Sequence, residues 1–282
     1  MATSMASEKS PQITILLPTY NRADSLPRAI DSVFAQMLKD WELIIVDDSS
    51  TDGTAAILDE AARRDPRVRV IRNAHSDYAS VGITKVLNQG LAVARGKYIA
   101  RLDDDDYWID DRKLEKQAAY LDAHPDCMVV GGGVVVVDGK GHERYRYFKK
   151  EADGEIRKTA LAANPFSHTT VMFRTEVARA CGGYRARYAE DWDLWLSMGM
   201  RGKLYNFREY FTAYTMNDLN KSFLHQRAQT RCILQFVARH RREYPNFLRG
   251  YLLNLGQYLY TWLPIGVRKY FQARLSAVKR GI

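Results

Sequence analysis

Short runs of aliphatic and β-branched residues alternate along this chain with stretches whose apolar residues recur at helical spacing. The runs that predict strands lie at residues 13–18, 41–46, 68–71 and 97–102. Helices are expected after Asp24 or Ser25, with Pro27 in the first turn, then through residues 57–61, and from about residue 80 to 95. Strands that alternate with helices in this way predict βαβ crossovers and a mostly parallel sheet.

The last sixty residues have a different pattern, for which three helical stretches are expected. In the second stretch the apolar positions form one stripe that ends before Pro264: Leu248, Tyr251, Leu252, Leu255, Tyr258, Leu259 and Trp262. The third stretch also has its apolar residues on one side: Val267, Tyr270, Phe271, Leu275 and Val278. Two interpretations stay open. The stripes could pack on the body or on a second copy of the chain, or they could contact a membrane surface.

The composition is that of a folded protein with a sizeable core. Of its 282 residues, 46% are hydrophobic and 27% are charged, which excludes a disordered chain. The longest run without charged or strongly polar residues, about 128–137, is well short of the roughly 20 residues that a spanning helix needs. Residues 1–12 lack the apolar core of a secretory signal, and the three cysteines are far apart. These features predict a cytoplasmic protein with reduced thiols.

The charge is unevenly distributed. The chain has 42 Lys and Arg against 33 Asp and Glu, a formal net charge of +9. Residues 223–282 hold 11 of the basic residues and a single acid, Glu243, so 31 basic and 32 acidic residues remain for residues 1–222. A near-neutral body therefore carries a tail of net charge +10. A localised basic segment with interleaved Tyr and Trp favours an anionic membrane surface over nucleic acid as its partner.

Polar residues follow the predicted strands at their carboxyl ends, where open α/β sheets bind their ligands. These segments are 19–21 (TYN), 47–48 (DD) and 103–106 (DDDD). No GxGxxG follows the first strand, and GxxxxGK[ST] is absent. The pattern therefore speaks against a dinucleotide site of that kind and against a P-loop ATPase.

Four consecutive carboxylates, Asp103 to Asp106, come directly after the fourth predicted strand. Two carboxylates about 4 Å apart repel each other by roughly 4 kcal/mol at an effective dielectric constant near 20. A hard divalent cation such as Mg²⁺ or Mn²⁺ would compensate them, taking one or two carboxylates and completing its shell with phosphate oxygens and water. A solvated acidic turn beside Arg101, Arg112 and Lys113 is the alternative.

Seven segments, taken in order, resemble family 2 glycosyltransferases, which are inverting enzymes of the GT-A fold that use nucleotide-diphosphate sugars. Three contain the strand-end residues: 18–22 (PTYNR), 46–54 (VDDSSTDGT) and 96–106 (GKYIARLDDDD). The other four are 87–90 (LNQG), 112–117 (RKLEKQ), 182–184 (GGY) and 190–195 (EDWDLW). Each motif alone is weak, but their order and spacing fit over about residues 12–214. The implied fold is a Rossmann-like, mostly parallel mixed sheet flanked by helices, followed by a C-terminal helical extension.

The resemblance also implies roles for single residues. Asp103 and Asp105 match the DxD motif, with Asp105 as the direct metal ligand and Asp103 closer to the ribose. Asp48 matches the residue that reads the edge of the base, and Asp191 matches the catalytic base. The remaining nucleotide-binding residues are Pro18, Thr19, Tyr20, Arg22 and Asp104. Mn²⁺ or Mg²⁺ is the implied cofactor.

Glu190 and Asp191 have a second interpretation, because an acid before an apolar helix caps it and complements its dipole. The residues alone favour capping, whereas the family match favours catalysis by Asp191, with Asp193 left as the cap. The acceptor-side candidates are His168, Glu190 and Trp192. His168 has a structural interpretation as well, since a lone histidine before a strand is more often a satisfied structural residue.

Two further segments resemble functional loops. Residues 131–133 (GGG) could cradle a phosphate, but they lie inside an apolar run and predict a strand with close backbone approach. Residues 214–217 (YTMN) stand where many relatives have Tyr-Arg followed by a histidine, and neither the arginine nor the histidine is present. Any metal or phosphate contact that the family makes from this loop is therefore in question.

Together these features predict a metal-dependent inverting glycosyltransferase with a UDP-sugar as the expected donor and a saccharide or lipid-linked saccharide of the cell surface as the acceptor. Three regions are expected: a flexible N-terminus (1–11), a GT-A catalytic domain (12–222) and a basic amphipathic helical tail (223–282). The tail would hold the enzyme at the inner face of the cell membrane. The alternatives are transfer to a polyprenyl phosphate and a non-catalytic module that binds a sugar nucleotide or a membrane.

Overall fold

The computed structural model describes residues 10–76, 82–216 and 225–263. The strands of this part are β1 Ile13–Thr19, β2 Trp41–Asp47, β3 Val68–Arg72, β4 Tyr98–Arg101, β5 Tyr107–Trp108, β6 Cys127–Val137, β7 Glu143–Tyr147, β8 Met172–Arg174 and β9 Lys203–Thr215. The helices are α1 Leu26–Phe34, α2 Thr54–Arg64, α3 Thr84–Val93, α4 Lys113–Ala123, α5 Asp153–Thr159, α6 Thr175–Ala180, α7 Glu190–Gly199, α8 Gln226–Arg239 and α9 Phe247–Tyr260. All of these strands join one mixed sheet in the order β3-β2-β1-β4-β8-β6-β9-β5, and β7 pairs with β6.

The first half of the sheet is parallel. β1 lies between β2 and β4 and runs parallel to both, and β3 continues the parallel order beyond β2. Every residue of β1 and β2 is buried, as expected for strands that helices cover on both faces. Ile15 and Leu17 join the core beneath α1 and α2, whereas Leu16 joins the core beneath α3 and α7. The predicted βαβ arrangement is confirmed.

The second half of the sheet is mixed. β8 runs antiparallel to both β4 and β6, while β9 runs parallel to β6 and ends beside the short β5. Residues 131–133 lie in the middle of β6, and a Cβ atom on Gly132 would lie 2.3 Å from the Cδ2 atom of Phe211. A larger residue there would thus clash with the Phe211 ring of the neighbouring strand β9, and the segment is a strand, as predicted.

Helix α3 is shorter than predicted, since it ends at Val93. The N–H of Arg95 donates to Oε1 of Glu42 at 2.7 Å, and the N–H of Gly96 donates to Oγ1 of Thr14 at 2.9 Å. Both amides are therefore held by side chains of β1 and β2 instead of continuing the helix. The predicted start of this helix near residue 80 falls on residues 77–81, which lie outside the described residues.

The described part of the tail is two helices that pack on each other and on the body. The inward side of α8 contributes Ile233, Phe236 and Val237 to a core cluster that also contains Trp192 and Leu196 of α7. The predicted third helical stretch lies outside the described residues, and the boundary at residue 222 stays a prediction. Of the helices that are described, none combines the length and the apolar character needed to cross a membrane.

Helix α9 packs in an unexpected orientation. Four of the seven residues of its predicted apolar stripe face outward, with Leu248 67%, Leu252 54%, Leu259 58% and Trp262 59% exposed, whereas Tyr251 packs against the core cluster that contains Trp192. Its buried positions are Gly250 and Asn254, and the Asn254 amide donates to the carbonyl oxygen of Leu161 at 2.9 Å. The packed side of this helix combines Gly250 and Asn254 with the partly buried Phe247 and Tyr251, so packing on the described body accounts for only part of the apolar stripe.

The two glycines of α9 offer a test of this packing. A Cβ atom on Gly250 would lie 2.8 Å from the carbonyl carbon of Leu161, whereas one on Gly256 would meet no atom within 4 Å. We expect Gly256→Ala to stabilise the protein by about 0.5–1 kcal/mol, the usual gain in a helix interior. Gly250→Ala should destabilise it instead, as measured by urea unfolding. Equal effects of the two substitutions would contradict the close approach of α9 to Leu161.

Candidate active site

The four consecutive carboxylates leave the sheet at the end of β4 and are held there by a buried arginine. Arg101 is 0% exposed, and its guanidinium donates to Oδ1 of Asp103 at 2.6 Å and to the carbonyl oxygen of Leu16 at 3.3 Å. Burial alone would raise the pKa of Asp103, but the charge and hydrogen bond of Arg101, with the charge of Arg22, outweigh burial and lower that pKa. Asp103 is therefore an ionised carboxylate with a fixed position.

A second arginine joins the acidic turn to the end of β1. The guanidinium of Arg22 donates to Oδ1 of Asp104 through Nε and to Oδ2 of Asp105 through Nη2, both at 3.3 Å. The backbone N–H of Tyr20 donates to Oδ2 of Asp104 at 3.2 Å. Pro18 is buried near the end of β1, while the side chain of Tyr20 is 41% exposed. The predicted nucleotide-binding residues 18–22 thus adjoin the acidic turn.

The acidic turn keeps an excess of negative charge. Burial raises the pKa of Asp105 to about 6, and the charges of Asp103 and Asp104 contribute. Burial and Asp103 also raise the pKa of Asp106, whose Oδ1 accepts the N–H of Thr215 at 2.9 Å. Within the described residues, only two guanidinium groups contact the four carboxylates. Carboxylates that repel each other in this way have the hard oxygen atoms that Mg²⁺ and Mn²⁺ prefer.

These carboxylates do not by themselves form a closed metal site. No group of three or more His, Cys, Asp or Glu side chains in the described part of the chain is arranged to hold one metal ion. Mg²⁺ in phosphate-binding sites takes one or two carboxylates and completes its shell with phosphate and water. Asp105 and Asp103 therefore suit a cation that also binds a phosphate. They are too few to hold a cation by protein ligands alone.

Asp48 lies at the end of β2, next to the end of β1. Its N–H donates to the carbonyl oxygen of Thr19 at 2.9 Å, and both residues are buried. The Asp48 carboxylate accepts the amide of Asn73 at 3.0 Å and the hydroxyl of Ser76. The sequence analysis missed Asn73, although its position directly after β3, at the same edge of the sheet, could have indicated it.

The end of β9 reaches the site through contacts that the motifs did not indicate. The backbone N–H of Thr215 binds Asp106, as described above, and the hydroxyl of Thr215 accepts from Nη2 of Arg28 at 3.1 Å. Arg28 lies on α1 and also stacks over the Tyr107 ring at 4.1 Å. Arg28 of α1 thus lies beside Thr215 of the 214–217 segment, which lacks the arginine that many relatives have there. No sequence signal distinguished Arg28 from the other arginines.

Helix α7 carries the predicted base. Asp191 accepts a hydrogen bond from the amide of Asn164 at 2.7 Å. Burial and the charge of Asp191 raise the pKa of Glu190 to about 8, so Glu190 is mostly protonated at neutral pH. The N-cap position is Ala189, with φ of 52°, and no side chain makes a capping hydrogen bond there. Capping by a side-chain hydrogen bond is therefore wrong for Glu190, Asp191 and Asp193, although all three acids lie in the first turn of the helix.

Asp193 and Trp192 instead connect α7 to the tail. The buried Asp193 carboxylate accepts from Arg185 at 3.1 Å and from Arg239 of α8 at 3.3 Å. The Trp192 indole donates to the carbonyl oxygen of Ala160 at 2.7 Å and contacts the Phe236 ring edge-on at 5.5 Å. Trp192 is only 3% exposed, so it lies in the core between body and tail and is not on the wall of a cleft.

His168 lies between the two ends of the site. Its Nε2 is 3.2 Å from the hydroxyl of Tyr184, and its ring contacts Trp195 edge-on at 5.8 Å. Burial lowers the pKa of His168 to about 4, and Arg101 adds to the effect while Asp191 and Asp103 oppose it. The histidine is therefore neutral at physiological pH. It lies within electrostatic reach of both Asp103 and Asp191, which places the acidic turn and the predicted base around one site.

The comparisons with known proteins agree with this geometry. The family model described as glycosyl transferase family 2 matches residues 14–215. EpsE of Bacillus subtilis (strain 168) is 32% identical over 286 residues, covering 96% of this chain and 97% of EpsE. The amylovoran biosynthesis glycosyltransferase AmsE of Erwinia amylovora is 30% identical over 187 residues, covering 65% of this chain and 68% of AmsE.

Solved structures show the same fold. TarS 1–349 of S. aureus superposes with a TM-score of 0.64 at 20% identity, covering 86% of this chain and 71% of TarS 1–349. The mannosyltransferase PcManGT of Pyrobaculum calidifontis superposes with a TM-score of 0.63 at 19% identity, covering 90% of this chain and 71% of PcManGT. The fold and the acidic strand ends define a glycosyltransferase of the GT-A class. The chain belongs to glycosyl transferase family 2.

The raised pKa of Asp105 predicts how the metal-free protein responds to pH. The pKa rises from 3.8 to about 6 on folding, so the folded state holds the proton more tightly than the unfolded chain. Stability should therefore fall as the pH rises from about 4 to 6, and the loss persists above pH 6. In the presence of a chelator at pH 7.5, we expect Asp105→Asn to have a free energy of unfolding about 1–3 kcal/mol higher than the wild type, measured by urea unfolding. The exposed control Asp111→Asn should change little, and an equally stabilised control would refute the explanation.

Proposed function

We propose that the chain is a metal-dependent inverting glycosyltransferase that moves a sugar from a nucleoside-diphosphate donor to an acceptor hydroxyl. The observation that carries the proposal is the arrangement of charge around His168. On one side an acidic turn has more carboxylates than cations, and on the other side Asp191 is an acidic side chain oriented by Asn164. Departure of a diphosphate and deprotonation of an acceptor need these two kinds of site.

The donor would bind across the ends of β1, β2 and β4. Asp48 would read the edge of the base, with uracil favoured, and Pro18, Thr19 and Tyr20 would line its pocket. Structures of TarS are described in complex with UDP and with UDP-GlcNAc, and that of PcManGT in complex with GDP-Man and Mn²⁺. These neighbours support a nucleotide-sugar donor in general, while the choice of uracil rests on Asp48.

Asp105, with Asp103 beside it, would hold Mn²⁺ or Mg²⁺ together with the diphosphate. The cation would supply positive charge to the leaving diphosphate. Arg101 fixes the position of Asp103 by their buried ion pair, and Arg22 orients Asp104 and Asp105. Asp104 would contact the nucleotide from the same turn.

Asp191 would take the proton from the acceptor hydroxyl as that hydroxyl attacks the anomeric carbon. The amide of Asn164 holds the carboxylate by a hydrogen bond to Oδ2, which leaves Oδ1 for the acceptor. A base on the face opposite the leaving group gives one in-line displacement and therefore inverts the configuration at the anomeric carbon. Glu190 and His168 lie beside the base on the acceptor side. Both are mostly neutral at neutral pH, so they add little negative or positive charge next to Asp191.

The acceptor is proposed to be a growing surface polysaccharide. The names of two relatives support this choice: AmsE is described as an amylovoran biosynthesis glycosyltransferase and TuaG of Bacillus subtilis (strain 168) as a teichuronic acid biosynthesis glycosyltransferase. Transfer to a polyprenyl phosphate would use a similar body. A thermal-shift screen of nucleotide-diphosphate sugars with and without Mn²⁺ should find the donor, because stabilisation follows affinity.

Substitution of the proposed base gives the sharpest test of the chemistry. Asp191→Asn keeps the shape of the side chain but removes the proton acceptor. We expect donor binding to be unchanged in calorimetric titration and transfer to fall by at least about 100-fold, since general-base catalysis contributes about 10²–10⁴. The exposed control Asp111→Asn should transfer normally. Near-normal turnover by Asp191→Asn would remove Asp191 from this role.

We also propose that the exposed stripe of α9 places the enzyme on an anionic membrane surface at the inner face of the cell membrane. Leu248, Leu252, Leu259 and Trp262 lie on one side of the helix and are each more than half exposed. Arg249 is exposed on the same helix, and residues 223–282 carry 11 basic residues and one acid. An amphipathic surface of this kind combines apolar insertion with attraction to anionic headgroups.

Two variants that each add one negative charge to α9 separate insertion from simple electrostatics. Leu259→Glu puts the charge into the exposed stripe, whereas Gln257→Glu puts it on another side of the helix. We expect Leu259→Glu to reduce flotation with phosphatidylglycerol-containing liposomes several-fold and Gln257→Glu to reduce it only slightly. An equal loss for both variants would mean that charge alone governs binding, and no loss for either would exclude the stripe as a membrane contact.

A further inference from the structure

Lys149 lies beside the proposed base and has no part in the chemistry described so far. It follows β7 by two residues, and its side chain is half-buried. Its ammonium lies 5.8 Å from the centroid of the Tyr147 ring. In residues 10–76, 82–216 and 225–263, no hydrogen bond or ion pair within 4.0 Å involves this ammonium group. Among those described residues, this partly dehydrated cation therefore has no anionic group within ion-pair distance.

The backbone around Lys149 is held on both sides. The preceding residue, Phe148, stacks on the Tyr210 ring with the centroids 4.3 Å apart. The carbonyl oxygen of the following residue, Lys150, accepts from the buried amide of Asn206 at 2.8 Å. The same amide donates to the carbonyl oxygen of Pro165 at 3.1 Å. Asn206 thus ties the segment after β7 to the loop that begins at residue 164.

That loop also holds the proposed base. Asn164 donates to Asp191 at 2.7 Å, and the hydroxyl of Ser167 lies 3.1 Å from the hydroxyl of Tyr147. Lys149 and Asp191 are therefore fixed against the same loop, and the ammonium lies within electrostatic reach of the Asp191 carboxylate. Burial lowers the pKa of Lys149, and the charge of Asp191 offsets this only in part.

The position of Lys149 indicates which substrate it meets. In an in-line displacement the base lies on the face opposite the leaving diphosphate, so groups beside the base face the acceptor. A half-buried cation at that place is costly unless an anion pairs with it. Asp191 cannot be that permanent partner, because its carboxylate must remain available to take the acceptor proton. An anionic group carried by the acceptor would meet the requirement.

We propose that Lys149 recognises a carboxylate or phosphate group on the acceptor, so that the enzyme prefers an anionic acceptor to a neutral one. The proposal rests on the proposed function, because it assigns the acceptor side from the role of Asp191. Lys149 is a specificity-determining residue in this account. It binds the acceptor's charge and takes no part in the proton transfer.

The test compares Lys149→Gln with Lys150→Gln, a neighbouring lysine whose side chain is exposed. Binding of four probes to the protein loaded with UDP and Mg²⁺ is measured by ligand-observed NMR. Methyl β-glucuronide is paired with methyl β-glucoside, and glycerol 1-phosphate is paired with glycerol. We expect the wild type and Lys150→Gln to bind the anionic member of one pair at least about tenfold more tightly, the worth of one charge-assisted hydrogen bond. Lys149→Gln should lose that preference and bind the neutral probes unchanged.

The outcomes are distinguishable. A preference within the first pair identifies a carboxylate, and one within the second pair identifies a phosphate. No preference in the wild type, or a preference that survives in Lys149→Gln, overturns the proposal. If Lys149 only served as a counter-ion of Asp191, its substitution would shift the pH profile of UDP-sugar hydrolysis and leave the probe preference intact. Failure of the wild type to bind UDP together with Mg²⁺ would contradict the proposed function separately, since the probe preference is read only on the loaded protein.

Discussion

The site depends on keeping four carboxylates together at the end of one strand, and an ion pair with a fully buried arginine makes this possible. Two carboxylates about 4 Å apart repel each other by roughly 4 kcal/mol at an effective dielectric constant near 20. Arg101 is fully buried, so its guanidinium would be costly without an anion, and Asp103 would be costly there without a cation. Each group thus fixes the other. Arg101 pairs with Asp103, Arg22 is shared between Asp104 and Asp105, and burial and the charge of Asp103 raise the pKa of Asp106, which favours its neutral form. Among the ionised carboxylates of the turn, Asp105 therefore has the least compensation, and a cation would bring the largest gain there.

The tail belongs to the architecture of the catalytic body. The two residues that follow Asp191 on α7 are both held by α8: Trp192 packs against Phe236, and Asp193 accepts from Arg239. The orientation of α7, and with it the direction of the Asp191 side chain, therefore depends on the tail. The distribution of charge alone would separate this tail from the catalytic body. This contact also uses part of the tail's positive charge, since Arg239 has a buried carboxylate as its partner. The regional charge of +10 thus overstates what is available to an external surface.

The sequence predicted the features that local patterns determine. Strand and helix alternation follows from apolar spacing, and the carboxyl ends of parallel strands converge on one edge, so Asp48 and Asp103 to Asp105 could be placed near each other before any coordinates. Side chains whose partners come from distant parts of the chain could not be found in this way. Asn164 is 27 residues from Asp191, and Asn206 is 56 residues from Lys150. Polar residues in loops lack a period, so nothing local distinguished Asn164, Lys149 or Arg28 from solvated neighbours.

Periodicity also identified the apolar stripe of α9 but could not determine which way it faces. A stripe at helical spacing normally turns inward because burial of each large apolar side chain stabilises the fold by about 1.5–3 kcal/mol. Here Gly250 permits a close approach to the backbone of Leu161, the amide of Asn254 donates to the carbonyl oxygen of Leu161, and Phe247 and Tyr251 pack against the core cluster of α7 and α8. The inward side is thus determined by these contacts, and the exposed leucines remain outside with no part in them. Within residues 10–76, 82–216 and 225–263 these leucines contribute little to packing, which is why the proposed contact with an anionic surface is assigned to them.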